Sequence, residues 1–299
     1  MAVCENQLPR AAAQLAFAGL CAALLAGCEG SKPTVEAPRE PAAAKPVKAT
    51  FPEGLDPRLH QPFTEAVLAD PPDGAARPPD ETKAGKNVAR LYEAVVGKDG
   101  IGGLWEKVVF ATRAGKRLNY TATIETDQGK IAIELWPDVA PNHVRNFVAL
   151  ARAGYYNGLA FDRTVREELE GDKGTFIEYI EAGCPLGTAD PTYGSIGYWL
   201  KPELSDKVKH EAGTIGAWHG EELETAACKF YITLDKAPWM DGNWTVFGKV
   251  TEGLDVARAI RARPVRSEEK DRPQEPVVIR SVTVECKEAE AVAAAGQSP

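Results

Sequence analysis

The sequence predicts a mainly β protein: a closed antiparallel barrel capped by two helices and preceded by a helical and hairpin extension. Short runs in which apolar and polar residues alternate recur between residues 120 and 286, as expected of half-buried strands. Two stretches among them carry the 3.6-residue period of a helix instead. Many antiparallel strands with so few helices favour a barrel that the helices plug at its ends.

Composition and charge narrow the class of protein. The chain has 299 residues, of which 44% are hydrophobic and 26% are charged, and both values are ordinary for globular proteins. Its net charge of −8 leaves no basic excess to neutralise phosphates, so we expect no nucleic-acid partner. We see no internal repeat.

The first 27 residues look like a signal peptide. Arg10 precedes an apolar run, Ala11 to Ala26, which is short for a membrane span and typical of a signal-peptide core. The run ends in Leu25-Ala26-Gly27-Cys28, which resembles the bacterial lipobox, so we expect lipidation of Cys28 and attachment to a membrane. Glu29 gives no inner-membrane retention signal, which favours the outer membrane. The alternatives are an uncleaved anchor and a plain secretory signal.

Between the signal and the barrel, two segments are expected. Residues 28–50 are rich in Pro, Ala, Lys and Glu and predict a disordered tether. Residues 51–119 predict an extension that packs on the barrel, because the segment is too small to hold much core of its own. Within it we expect a helix that begins around Thr82, a strand over Lys107–Thr112, and a second strand from Arg117 after a turn at Ala114-Gly115-Lys116.

The barrel is predicted over residues 120–287, followed by a disordered tail, 288–299. Asp127-Gln128-Gly129 joins its first two strands as a hairpin, and Pro141 opens a helix that ends near Gly154. A second helix covers Leu254 to Ala262. The strands read from alternation are Tyr120–Thr126, Lys130–Trp136, Gly216–Trp218, Phe230–Leu234, Thr245–Val250 and Val277–Cys286.

Three of the six cysteines, Cys184, Cys228 and Cys286, lie beyond the expected signal and lipidation site. Their wide spacing shows neither a zinc pattern nor a disulfide framework. One Cys184–Cys228 bond and three buried thiols both remain open. His210 and His219 do not have the spacing of metal ligands, so we expect no metal.

The order of motifs along the second half of the chain resembles the cyclophilin family of peptidyl-prolyl cis-trans isomerases. The motifs are Thr126-Asp127-Gln128-Gly129-Lys130-Ile131, Ala140-Pro141-Asn142-His143-Val144-Arg145-Asn146-Phe147, Gly154-Tyr155-Tyr156-Asn157-Gly158, Phe161-Asp162-Arg163, Gly213-Thr214-Ile215, Lys229-Phe230-Tyr231-Ile232-Thr233-Leu234 and Trp239-Met240-Asp241-Gly242 with Thr245-Val246-Phe247-Gly248-Lys249-Val250. The resemblance implies an eight-stranded barrel with two capping helices, isomerase activity on proline-containing polypeptides, and no cofactor. We expect a monomer.

The resemblance also implies which residues form the site. Arg163 stands at the position of the catalytic arginine, Tyr231 at that of a pocket phenylalanine and Trp239 at that of the pocket tryptophan. By the same correspondence, the substrate-binding residues include Tyr179, Glu181, Trp218, His219, Lys229, Met240 and Trp244. Without the resemblance, Arg163 would be read as a solvated strand residue and the aromatic residues as core.

Several positions depart from the family pattern. An acidic insertion occupies residues 167–174, and two neutral glutamines of the family appear as Glu181 and Lys229. Opposite charges predict either a Glu181–Lys229 pair or a Glu181–Arg163 pair that fixes the guanidinium. We therefore predict an isomerase of envelope proteins whose turnover is reduced and sequence-selective. The alternatives are a catalytically weak module that binds or scaffolds proline peptides, and a chaperone that only holds chains.

Overall fold

The computed structural model describes residues 63–65, 67–112, 114–169, 174–189, 194–269 and 271–289. The expected signal peptide, Cys28, the tether and nearly all of the predicted tail lie outside the described residues. Among the described residues, no helix is long and apolar enough to span a membrane.

The strands of this part of the chain are, in order, β1 (Leu68–Ala69), β2 (Gly97–Lys98), β3 (Ile101–Gly102), β4 (Leu118–Thr126), β5 (Gly129–Leu135), β6 (Ala160–Glu168), β7 (Phe176–Ala182), β8 (Trp199–Leu200), β9 (Thr214–Ala217), β10 (Phe230–Thr233), β11 (Val246–Glu252) and β12 (Val277–Glu288). The α-helices are α1 (Val88–Val96), α2 (Pro141–Arg152) and α3 (Leu254–Arg261).

Eight of these strands close into one antiparallel barrel. Their order around it is β10, β7, β6, β12, β4, β5, β11 and β9, and β9 pairs with β10 to complete the circle. The alternating side chains explain the closure: in β4 and β5, apolar residues at every second position are buried in the core. The predicted mainly β fold with a closed eight-stranded barrel is confirmed.

The β4–β5 hairpin forms at the predicted turn. Thr126 pairs with Gly129, and the Thr126 hydroxyl accepts a hydrogen bond from the Gln128 backbone N–H at 3.0 Å. Gly129 has φ of +135°, a conformation that favours glycine.

Helices α2 and α3 pack against the strands as amphipathic elements. Pro141 occupies the first turn of α2, where its missing N–H costs nothing. The carboxylate of Glu203 accepts hydrogen bonds from the backbone N–H groups of Asn142 (3.0 Å) and His143 (2.9 Å), so it caps the positive end of α2. Helix α2 contacts β11 and β12, and α3 contacts β5, β6 and β7.

Two predictions for the extension were wrong. The first helix begins at Val88 rather than near Thr82, because the Asn87 side chain caps it by accepting from the Arg90 backbone N–H. Lys107–Thr112 forms a loop in which only Ala111 bridges to Arg117. Val108 and Phe110 are buried and Val109 between them is exposed, which imitates the alternation of a strand. Val108 and Phe110 nevertheless pack into the core from a loop.

The extension shares one hydrophobic core with the barrel. Val88, Leu91, Val95 and Trp105 belong to the same buried cluster as the barrel interior. Arg145 of α2 is 1% exposed, and its guanidinium lies 5.6 Å from the Trp105 ring centroid and 5.0 Å from that of Phe110. This buried cation joins the extension to the barrel through two aromatic faces.

The cysteines follow neither simple expectation. Cys228 is a buried free thiol, so the Cys184–Cys228 disulfide is not formed. Cys286 is an exposed free thiol on β12, and therefore the alternative of three buried thiols is wrong as well.

Candidate active site

Arg163 lies on β6 directly opposite Glu181 of β7, next to a register shift in the pairing of the two strands. Its Nε donates to Asp271 Oδ2 at 2.6 Å, and its Nη1 donates to the Tyr179 hydroxyl at 3.0 Å and to Glu181 Oε2 at 3.4 Å. Burial alone would lower the pKa of Arg163, but Tyr179, Asp271 and Glu181 raise it above its ordinary value. The guanidinium is therefore charged and oriented by three partners.

Of the guanidinium nitrogens, Nη2 has no partner among the described residues. The side chain of Arg163 is 24% exposed, so the cluster leaves part of it open to a ligand. Because hydrogen bonds hold Nε and Nη1, the Nη2 group of the charged guanidinium points in a fixed direction.

Glu181 lies between two cations. Lys229 Nζ is 2.5 Å from Glu181 Oε1, whereas Arg163 Nη1 is 3.4 Å from Oε2. Lys229 is 2% exposed and Glu181 is 0% exposed. The two pairings suggested by the sequence thus coexist on one carboxylate. A buried carboxylate flanked by two cations is compensated for its loss of water.

Lys229 also supports the aromatic residues. Its Nζ lies 3.3 Å from the centroid of the Trp218 ring and donates to the Ala189 carbonyl at 3.2 Å. Trp218 therefore rests on a buried cation, a contact that is strengthened by the exclusion of water.

Asp162, next to Arg163 in sequence, adds a carboxyl group to the cluster. It is 3% exposed, and its Oδ2 accepts from the Ala189 backbone N–H at 2.7 Å. Burial, followed by the charge of Glu181, raises its pKa to about 6. The carboxyl therefore ionises close to neutral pH.

An aromatic cavity of about 210 Å³ lies beside the charged cluster. Six of the predicted substrate-binding residues line it: Tyr179, Trp218, Tyr231, Trp239, Met240 and Trp244. Three further lining residues, Val165, Glu167 and Ile177, were not predicted. Tyr179 belongs to both parts of the site, since it lines the cavity and accepts from Arg163.

The other predicted residues lie behind the cavity rather than in its lining. His219 stacks on Trp244 with ring centroids 3.8 Å apart, and its Nδ1 is 2.7 Å from the Gly220 carbonyl. Glu181 is buried next to Arg163, and Lys229 is buried against the Trp218 ring. These three residues support the groups that can touch a ligand.

Tyr231 forms one wall of the cavity and is 0% exposed. Its ring lies edge-on to Trp244 at 5.5 Å, and its hydroxyl is 2.8 Å from His210 Nε2. His210 Nδ1 is in turn 2.9 Å from Asp241 Oδ1. Gly216 makes room for the hydroxyl, since a Cβ there would lie 2.1 Å from it.

Sequence reasoning missed Asp271, His210 and Asp241. Asp271 is far from Arg163 along the chain and lies in a segment without periodicity, so no local signal pointed to it. His210 was considered only as a metal ligand. Asp241 had appeared merely as part of a motif. The described residues contain no group of three or more His, Cys, Asp or Glu side chains that could hold a metal ion.

Comparison with known proteins identifies the family of the barrel. Residues 121–284 match the family described as cyclophilin type peptidyl-prolyl cis-trans isomerase/CLD. The chain is 33% identical over 162 residues to peptidyl-prolyl cis-trans isomerase ppi1 of Schizosaccharomyces pombe, covering 54% of this chain and 97% of that one. It is 38% identical over 143 residues to a peptidyl-prolyl cis-trans isomerase of Helicobacter pylori, covering 47% and 79% respectively.

A third relative is much longer than the matching region. Peptidyl-prolyl cis-trans isomerase-like 2 of Rhizopus delemar is 34% identical over 167 residues, which are 56% of this chain and 29% of that protein. The family match lies within the barrel, and the extension of residues 51–119 lies outside it.

Proposed function

Since the chain belongs to the cyclophilin type peptidyl-prolyl cis-trans isomerase family, we propose that it isomerises X-Pro bonds in envelope polypeptides, with Arg163 as the electrophilic donor. The observation that carries the proposal is a fixed guanidinium, whose Nη2 has no hydrogen-bond partner among the described residues, next to an aromatic cavity.

The chemistry follows from the peptide bond itself. Resonance of the nitrogen lone pair gives rotation a barrier of about 20 kcal/mol, and X-Pro is the bond at which both isomers are populated. A donor aimed at the prolyl nitrogen withdraws the lone pair from resonance and lowers the barrier. Arginine suits this role because it stays charged and its remaining N–H groups can be tied to acceptors.

The cavity would hold the proline ring while the preceding carbonyl rotates. Its walls are largely aromatic, and Tyr179 joins the cavity to the guanidinium through the 3.0 Å hydrogen bond. Asp271 and Glu181 would keep the donor from following the moving carbonyl. Preorganised donors of this kind act without reorganisation at the moment of reaction.

The proposed location follows from the sequence. A lipidated Cys28 would hold the protein on a membrane, preferably the outer membrane, and residues 28–50 would act as a tether. The substrates would then be proline-containing polypeptides of the cell envelope. Mass spectrometry of the protein from a bacterial host checks this part: an unmodified Cys28 in a membrane fraction would contradict it.

A second candidate function is binding of proline peptides without turnover. It is favoured by one observation: Nε and Nη1 of Arg163 already donate to three acceptors, so only part of the guanidinium can serve a substrate. An adaptor needs only the cavity.

A turnover assay separates the two functions. The full-length chain in detergent is assayed with a proline peptide whose trans form a protease cleaves, beside Arg163→Ala and the control Arg280→Ala. Arg280 is an exposed arginine that pairs with Asp127. Loss of the donor should lower kcat/KM by about 100-fold or more, with peptide affinity largely retained. No turnover by the parent chain above background would reject the enzyme, and peptide binding in that case would support the adaptor.

A further inference from the structure

A hydrogen-bonded row of three side chains ends on the wall of the cavity. Tyr231 Oη lies 2.8 Å from His210 Nε2, and His210 Nδ1 lies 2.9 Å from Asp241 Oδ1. Tyr231 and His210 are almost completely buried. Neither His210 nor Asp241 lines the cavity, and neither has a part in the mechanism above.

The hydrogen bonds define where the protons lie. Asp241 Oδ1 also accepts from the His210 backbone N–H at 2.8 Å, and its Oδ2 lies 3.4 Å from Lys209 Nζ. Asp241 is therefore the acceptor, so His210 carries its proton on Nδ1 and its Nε2 accepts from the Tyr231 hydroxyl. Burial lowers the pKa of His210, which favours this neutral imidazole.

The Tyr231 ring is held on its other sides by close neighbours. Tyr179 and Trp244 contact it edge-on at 6.2 Å and 5.5 Å between ring centroids. Gly216 pairs with Tyr231 across the β9–β10 ladder, and a Cβ there would lie 2.3 Å from Tyr231 Cζ. Gly216 therefore leaves room for the Tyr231 hydroxyl, and His210 provides the acceptor for its hydrogen bond.

We propose that His210, held by Asp241, is a positioning residue for substrate binding: it fixes the Tyr231 hydroxyl and so keeps the Tyr231 ring as a rigid wall of the cavity. The inference rests on the proposed function, because the occupant of the cavity is the prolyl ring. If the Tyr231 ring is already ordered before the ligand binds, binding does not lose free energy in ordering it, and the affinity is higher. Asp241 and His210 make no hydrogen bond with Arg163, so the chemical step should be spared.

The test is a double-mutant cycle in the full-length chain. His210→Leu keeps much of the imidazole volume, and Tyr231→Phe removes only the hydroxyl. Each change should raise KM for the proline peptide by about fivefold, with kcat within about twofold of the parent. Since both act on one hydrogen bond, the double variant should raise KM no further than either single variant.

The outcomes separate positioning from simple support of the fold. A lower Tm for His210→Leu with unchanged KM would mean that His210 is only structural, and multiplicative effects in the double variant would mean that it acts elsewhere. Asp241→Asn, which keeps an acceptor, serves if His210→Leu fails to fold. It should raise KM in the same direction but less.

Relaxation of ¹³C-labelled tyrosine rings gives a readout that does not depend on turnover. The amplitude of Tyr231 ring motion should increase in His210→Leu, and equal amplitudes in parent and variant would overturn the inference. If the parent chain neither turns over nor binds the peptide, the proposed function fails, while the ring measurement still decides whether His210 fixes Tyr231.

Discussion

Arg163 Nε donates to Asp271 Oδ2 at 2.6 Å, although 108 positions separate the two residues in the sequence. Asp271 belongs to the segment between α3 and β12, and Arg163 lies in the middle of β6. A hydrogen bond at Nε fixes the plane of the guanidinium, because the three nitrogens are coplanar. The direction of Nη2 thus depends on a segment outside the strands of the barrel.

Asp271→Ala should therefore reduce the rate more than the affinity. The guanidinium loses the partner of its Nε, and we expect kcat to fall by about tenfold with KM within about twofold of the parent. Glu269→Ala is the matched control, since Glu269 pairs with Arg266 and Arg272 and makes no hydrogen bond or ion pair with Arg163. An unchanged kcat in the protease-coupled assay would show that Arg163 does not need Asp271.

Glu181→Gln should cost stability. The change leaves Lys229 buried without the carboxylate at 2.5 Å, and removing one partner of a buried pair costs about 3–5 kcal/mol. Urea unfolding measures the loss, and Lys229→Gln in the same background should recover part of it. Glu178→Gln, at a partly exposed residue of the same strand that pairs with Arg166 and Arg261, should change the free energy of unfolding by less than about 1 kcal/mol.

The Glu181→Gln variant also tests whether Glu181 orients Arg163. If Glu181 orients Arg163, turnover of the folded variant falls. If turnover rises strongly instead, the carboxylate restrains the arginine and the orienting role is wrong.

The raised pKa of Asp162 predicts that the free energy of unfolding depends on pH. Burial and the charge of Glu181 raise its pKa to about 6 in the folded protein, above the ordinary value of 3.8. The folded state therefore binds this proton more tightly than the unfolded state does, so ionisation of Asp162 destabilises the fold as the pH rises from about 4 through 6. At about 1.4 kcal/mol per pKa unit, the cost at pH 7.5 is roughly 3 kcal/mol.

Asp162→Asn removes that cost and keeps an acceptor for the Ala189 N–H. We expect a Tm several degrees above that of the parent at pH 7.5 and a clearly smaller difference at pH 4.5, measured by calorimetry. A difference that is the same at both pH values would contradict the assignment of the raised pKa to Asp162.

Trp105→Ala should loosen the extension and leave the active site intact. The ring is 0% exposed and covers the Arg145 guanidinium, and loss of a buried tryptophan costs about 3–5 kcal/mol. Hydrogen exchange of residues 88–96 should accelerate more than that of β6 and β7. Ile101→Ala, at an exposed residue of the same extension, is the control. Equal acceleration throughout would mean that extension and barrel unfold as one unit.

Sequence reasoning was most successful where the physics is local. The β4–β5 hairpin, helix α2 and the closing strand β12 follow from alternation, from Pro141 and from the turn at residues 127–129. It failed at Thr82 and at Lys107–Thr112. In the first case the cap at Asn87 decides the start of the helix, and in the second a loop buries residues at the spacing of a strand.

The site divides in the same way. Six cavity residues were identified from the family resemblance, and a Glu181 pair was expected from the opposite charges. Asp271 and the His210–Asp241 pair could not be found, because each depends on loops whose three-dimensional path has no periodic signal. The need for glycine at position 216 is likewise visible only in the structure, where a Cβ would lie 2.1 Å from the Tyr231 hydroxyl.

The position of β12 in the barrel has a consequence for biosynthesis. This strand, the last among the described residues, lies between β4 and β6, so it joins two strands made more than a hundred residues earlier. Until residue 288 has left the ribosome, both of those strands keep an open edge, and such edges are prone to pair with other chains. Completion of the barrel must therefore wait until β12 has emerged from the ribosome, and truncation before Val277 would yield an aggregation-prone chain rather than a smaller domain.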